Sequence, residues 1–309
     1  MSMNRIRNAF VYTLRRPATV EAAAIEKAVS KEGRMLFSPC APSQQWSFGF
    51  APVDGDDLVV TLPSALAFGV KIQERKLPAK AVEEAVAERV SDIEQRMGRK
   101  VGRKERLTLK DDVIAQLLPR TPPQSRLVIA YLDLQAHWLV VDATNATTAE
   151  VVASTIRQAI DGFPVIPAEG RIILSSVLTQ WLAGSRSDAF SMRGQAVLYD
   201  PVEPTHKARL QGHDLYASDA VNSLLSEGMV AGSMRLRWRD EIDFTAAQPW
   251  HLKRISMPEE MFEEAEGNDE STRFTGDMHL QISALRDLLA DYGKTMGGWQ
   301  RQLNFEEAA

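Results

Sequence analysis

The chain has 309 residues, 44% of them hydrophobic and 25% charged, with a formal net charge of −5. These values describe an ordinary soluble globular protein large enough for two or three compact units, and they exclude a uniformly basic surface. The only cysteine, Cys40, rules out an internal disulfide and fits a reducing cytoplasm.

In chain order, MSMNRIRNAF carries no apolar core of signal-peptide type. The segment 6–14 reads as a strand, and 19–29 (TVEAAAIEKAV) as an Ala-rich helix. Short strands follow at 46–50 and 57–62, then the apolar segment ALAFGVKIQERK at 65–76. The longest apolar stretch, 58–70, is interrupted by Thr61, Pro63 and Ser64 and is shorter than the about 20 residues that span a bilayer.

From Pro78 the pattern changes. Proline is tolerated at a helix start, and Val82, Ala85, Val86, Arg89, Val90 and Ile93 fall at helical spacing. Gly98 and Gly102 break this helix, and 108–119 (TLKDDVIAQLLP) reads as a returning helix closed by Pro119. The expectation is a helical hairpin inserted between strands, with RMGRKVGRKER (96–106) at its turn. Those eleven positions hold six basic side chains and one acidic one. Positive charge gathered this tightly in an acidic chain points to an anionic partner, most commonly a nucleic-acid backbone. The competing reading is a solvated turn balanced by Glu83, Glu84, Glu88, Asp92 and Glu94 of its own stem.

Beyond this arm, 126–134 and 137–143 read as a pair of strands. Thr147 and Glu150 have capping-box spacing and open a helix through TTAEVVASTIRQAI. The C-terminal portion begins near Arg171 with a helix at SSVLTQWLAG, strands around QAVLYD and KARLQGHDL, and a helix for which Ser218 is the expected N-cap. GSMRLRWRDEIDFTA reads as one long strand. Met234, Leu236 and Trp238 alternate there with Arg235, Arg237 and Arg239, so a period of two places three guanidinium groups on one face. That face suits either phosphate contact or plain solvation, since Asp240 and Glu241 follow at once. Residues 259–270 hold seven carboxylates in twelve positions, and a last helix over 277–292 leads to Gly297-Gly298 and an acidic end.

Catalytic signatures are absent from the sequence. His137, His206, His213, His251 and His279 show no metal-ligand spacing, and no Walker A, GxGxxG or GxSxG motif occurs. Asp57 with Glu74-Arg75-Lys76 loosely matches the acid–acid–lysine layout of metal-dependent nucleases, a spacing common by chance. Trp46, Trp138, Trp181 and Trp238 sit among apolar neighbours and read as core residues. No catalytic residue, metal site or cofactor is expected.

The arm segment RKLPAKAVEEAVAERVSDIEQRMGRKVGRKERLTLKDDVIAQLLPR resembles that of the recombination-associated RdgC family. So do Phe37-Ser38-Pro39-Cys40, VDATNATTAEVVASTIRQAIDGFPVIP, Leu178-Thr179-Gln180-Trp181, Trp238 through Ile242-Asp243-Phe244, His251 through Ile255, and Gly297-Gly298. The similarity is collinear over nearly the whole chain. It implies an α+β fold of mixed sheets with packed helices and an inserted helical-hairpin arm, assembling as a ring-shaped homodimer whose basic channel takes double-stranded DNA. It implies binding without sequence preference, restraint of RecA-type filament formation and strand exchange, a cytoplasmic and nucleoid-associated location, and no membrane partner. Members of the family are not known as enzymes. An alternative is a module that inhibits the recombinase directly through the acidic 259–270 surface.

The expected organisation is an N-terminal α/β region of 1–76 with 121–170, the arm at 77–120, and a C-terminal α+β region at 171–309. Arg96, Arg99, Lys100, Arg103, Lys104, Arg106, Lys110 and Arg120 are the arm candidates for phosphate contact. Arg235, Arg237, Arg239, Lys253 and Arg254 form a second group. Two departures stand out. The family pattern Leu-Leu-Pro-Arg-Ala-Phe is here Leu117 to Pro122, which replaces an aromatic residue that helps close one dimer contact. Met229 stands where a family lysine is expected.

Overall fold

Twelve strands pair into a single sheet in the order β2-β4-β5-β6-β1-β12-β11-β10-β8-β9, with β3 added to β4 and β7 added to β1. The strands are β1 (Ala9–Leu14), β2 (Trp46–Ala51), β3 (Val59–Leu62), β4 (Ala65–Glu74), β5 (Gln124–Asp133), β6 (Trp138–Val141), β7 (Val165–Pro167), β8 (Phe190–Tyr199), β9 (Lys207–Gln211), β10 (Val230–Trp238), β11 (Ile242–Ala247) and β12 (His251–Ser256). Every named strand pair is antiparallel. The helices are α1 (Ala22–Val29), α2 (Ala79–Met97), α3 (Arg103–Leu117), α4 (Ala146–Ala159), α5 (Leu174–Leu182), α6 (Asp219–Ser226) and α7 (Glu270–Thr295). The computed structural model describes residues 5–14, 22–30, 35–160, 163, 165–185, 187–212, 215, 218–248, 250–265 and 270–299. The acidic end, positions 19–21 of the first expected helix and part of the acidic run therefore lie outside the described residues.

The two faces of the sheet are treated differently. On one, α7 lays Met278, Ile282, Leu285, Leu288, Leu289, Tyr292 and Met296 across both halves, joined by α5 and α6 through Leu178, Leu182 and Val221. These side chains recur every three or four residues, the stripe an amphipathic helix needs to cover a sheet. On the other face, Ile25 and Val29 of α1 with Ala149, Val152, Ala153 and Ile156 of α4 cover strands β1, β2, β4, β5 and β6. No strand residue between Phe190 and Ala247 joins that second core. Among the described residues, the outer face of β8 to β11 is therefore left open.

Three expectations are corrected. GSMRLRWRDEIDFTA is a hairpin rather than one strand: β10 and β11 pair from Ser233↔Ala247 to Trp238↔Ile242, and Arg239 and Asp240 take φ of +46° and +57° in the turn. Asn145, not Thr147, caps α4, its side chain accepting from the Thr148 N–H at 2.9 Å. Trp46, read as core, is 52% exposed at the start of edge strand β2 and stacks on Phe48. The Ser218 cap on α6 is as expected. Among the described residues, no helix is long and apolar enough to cross a membrane.

Two polar contacts pin the layers. Arg286 of α7 donates to the fully buried Asp133 at 2.6 Å, to Gln135 at 2.9 Å and to Ser64 at 2.6 Å. His251, where β12 meets β1, stacks on Phe10 at 3.7 Å, and its Nε2 lies 2.9 Å from the Ala143 carbonyl, which accepts. Burial, and then the nearby charge of Lys253, push the His251 pKa down to about 4.

Arg286→Ala strands a buried carboxylate and is expected to cost about 3 kcal/mol in urea unfolding; a loss under about 1 kcal/mol would contradict this. The His251 pKa lies below its unfolded value, so the unfolded chain binds more protons between about pH 6.5 and 4. This contribution is complete above about pH 6.5 and is lost as pH falls towards 4. His251→Gln should flatten the decline of the urea midpoint over that window, and an unchanged decline would contradict the assignment.

Candidate nucleic-acid interface

The arm leaves the sheet between β4 and β5. Pro78 starts α2, whose 19 residues extend about 28 Å. Gly98 ends it at φ +62°, donating its N–H to the Glu94 carbonyl at 3.0 Å. The left-handed conformation is why glycine stands there. The Glu94 carboxylate then accepts from the Val101 N–H at 2.9 Å, closing the turn. Apolar packing is confined to Val82, Val86 and Val113, with Leu77, Ala85, Val90, Ile114 and Leu117 around them. Met97 and Leu107 near the tip are exposed.

Helix α3 begins at Arg103, five residues earlier than expected, so half of the cationic run is helical rather than turn. Arg103, Lys104 and Arg106 thus occupy the first turn of α3. Unpaired N–H groups and the positive end of the helix dipole make that position unfavourable for cations, by about 0.3–1 kcal/mol each. The cap residue, Gly102, supplies no side-chain acceptor. Arg99 is held by Glu105 in two hydrogen bonds of 2.8 and 2.9 Å, which raise the Arg99 pKa and lower that of Glu105. Arg96, Lys100, Arg103, Lys104, Arg106, Lys110 and Arg120 are exposed, and none of them forms an ion pair among the described residues. The acids of the stem thus form no ion pair with these seven side chains, although the Glu94 carboxylate lies in the turn.

The second cationic surface is the open face of the sheet. Arg235 and Arg237 project from β10 as the alternation predicts, while Met234, Leu236 and Trp238 are buried. Arg239 does not join them. Placed in the turn, it lies 4.5 Å from the Trp238 ring and pairs at 2.8 Å with Asp291 of α7 on the opposite side. The turn breaks the period of two one residue too early. Arg237 is paired with Asp243 at 2.8 Å, which raises the Arg237 pKa and lowers that of Asp243. Lys253 lies opposite Thr245 in register, and Arg254 follows at φ +50°.

Sequence reading missed Arg193, Lys207 and Arg209. Alternation in KARLQ could have revealed Lys207 and Arg209, which pair in register with Tyr199 and Val197. Arg193 is hidden by a register shift between Met234↔Ala196 and Leu236↔Met192, where Gly194 takes φ +60°. Against these cations, Asp243 is the one acid among the described strand residues of this face.

The nuclease-like residues are not assembled. Asp57 precedes β3 and bridges to Asp54, while β3 begins at Val59, which pairs with Phe68, six residues or about 20 Å along β4 from Glu74. Glu74 pairs with Lys76, and Arg75 donates to the carbonyls of Thr121 and Cys40. Among the described residues, no group of three or more His, Cys, Asp or Glu side chains could hold a metal ion. In the acidic run, Glu259 pairs with Arg5 at 2.7 Å. Met229 is half-buried against the main core.

The chain is similar to known proteins over most of its length. A protein called recombination-associated protein RdgC from Laribacter hongkongensis is 32% identical over 267 residues, covering 85% of this chain and 89% of the relative. Proteins of the same name from Tolumonas auensis and Pseudomonas putida are 28% and 29% identical, covering 94% of this chain and 98% and 97% of the relatives. The family model described as "Putative exonuclease, RdgC" matches residues 5–299, and the chain belongs to the RdgC family.

Proposed function

We propose that this protein binds double-stranded DNA without sequence preference through the arm tip, as a homodimer closed around the duplex, and thereby restrains assembly of a RecA-type recombinase. The observation that carries this reading is the placement of Arg103, Lys104 and Arg106 in the first turn of α3. The same turn holds one carboxylate, Glu105, which is engaged by Arg99; a sequence selected only for a stable hairpin would not surround it with three cations. Cations at that position, exposed and unpaired, are poised for phosphate oxygens, which neutralise them and release counterions. Phosphates carry no base information, so such contacts do not discriminate sequence.

Pairing two copies about a two-fold axis doubles this charge around one passage and leaves the acidic remainder outside. Enclosure reconciles a chain of net charge −5 with affinity for a polyanion. A duplex occupied in this way is closed to a growing filament, which fits the recombination-associated name of the relatives. The location implied is the nucleoid.

With about six phosphates neutralised, log K should fall against log salt with a slope near −5, similarly for unrelated duplexes. Arg99→Glu/Lys100→Glu/Arg103→Glu/Lys104→Glu should flatten that slope and weaken binding to every sequence alike. An unchanged titration would remove the arm from the interface. The double variant Arg103→Glu/Lys104→Glu should lose affinity yet melt no lower than the parent protein, because both carboxylates now complement the α3 terminus. A clear drop in melting temperature would show that these cations serve the fold.

A further inference from the structure

The open sheet face is shaped as well as charged. Between Met234↔Ala196 and Leu236↔Met192, strand β8 carries extra residues opposite β10, so that Arg193 and Gln195 are brought beside Arg235. On the other flank, β12 gains a residue between Asp243↔Ser256 and Thr245↔Lys253, at Arg254. Bulges bend a strand and re-aim its side chains. Here two of them, on different strands, turn towards the same point. Arg254 adopts φ +50°, a conformation rare for a side chain of its size, to reach it. Two adjoining concavities of about 330 and 780 Å³ share Gln195, Arg235 and Arg254 in their walls, and Arg209 completes the smaller.

The guanidinium groups are held before any ligand arrives. Arg235 donates to the Arg254 carbonyl at 2.8 Å, and Arg254 donates to the Thr245 hydroxyl at 3.2 Å. Side chains already fixed lose little freedom on binding. Partial burial, followed by the charges of Arg254, Arg193 and Arg237, draws the Arg235 pKa below the ordinary arginine range, with Asp243 offsetting part of the effect. Like charges are crowded here without an equal number of acids.

We propose that this bulged face is a second phosphate-binding surface, a preformed cradle in which Arg193, Arg209, Arg235 and Arg254 seat successive backbone phosphates of one nucleic-acid strand. The proposal rests on the DNA-binding reading above. From β9 to β12 is four strand spacings, about 19 Å. One strand of a duplex carries a charge for about every 3.4 Å of helix axis, so the surface matches a run of phosphates and exceeds a single free one.

The test uses the full chain, a labelled random-sequence duplex and fluorescence anisotropy over a salt series. In Arg209→Ala/Arg254→Gly, glycine accepts the positive φ, so the backbone is retained. We expect about tenfold weaker binding at fixed salt and a slope shallower by about 2, with Arg209→Lys/Arg254→Lys restoring the slope. Wild-type slope and affinity in the Ala/Gly variant, while the arm variant loses both, would overturn the cradle and leave DNA binding standing. Absence of salt-dependent affinity in the unaltered protein would overturn the DNA reading itself. Sodium tripolyphosphate at matched ionic strength should displace little duplex. Full displacement that requires Arg209 and Arg254 would mark a small-anion site and refute strand tracking.

Discussion

A sheet has two faces to bury, and the described residues of this chain supply helices for one face and half of the other. The apolar stripe of α7 crosses both halves, fixing β1 to β12 as one continuous layer. Helices α1 and α4 close the reverse side of the N-terminal strands only. What remains is an uncovered surface on β8 to β12. An open sheet face is normally solvated by mixed charges that offset one another. Here strand pairing aligns arginines and lysines with Asp243 as their counterweight, so neighbouring cations repel unless an anion joins them.

The arm presents the same imbalance by other means. Its base is held by Val82, Val86 and Val113, and its outer part has no apolar seam. Gly98 and Gly102 set the turn, and the tip spends part of the helix's electrostatic stability on cations at the wrong terminus. An exposed, highly charged tip and a bulged sheet are complementary devices. Under the proposed function, the first captures a polyanion at range and the second holds it in a defined place.

Much of this was legible in the sequence, and the failures have identifiable causes. The hairpin followed from Pro78, the helical spacing after it and the two glycines, all local signals. The cationic run was visible, but its helical half was not, because Arg and Lys are good helix formers that give no boundary. Arg239 was misplaced because nothing in RWRDEI announces a turn with two positive-φ residues that are neither glycine nor asparagine. Arg193 escaped because a bulge in β8 breaks the alternation on which strand reading relies. The single sheet was out of reach, since Phe10↔His251 joins residues at opposite ends of the chain. Asp57 and Glu74 show the converse: a suggestive order along the chain that the register of β3 and β4 pulls apart.

The central claim is that the arm tip and the open sheet face contact the same duplex. Photo-cross-linking tests it most directly, with a reactive side chain placed in turn at Lys104, at Arg209 and at Asp56, which is exposed in the turn between β2 and β3. The account predicts cross-links to a random-sequence duplex from Lys104 and from Arg209 and none from Asp56. Cross-links from Asp56 alone, or from neither cationic position, would contradict it.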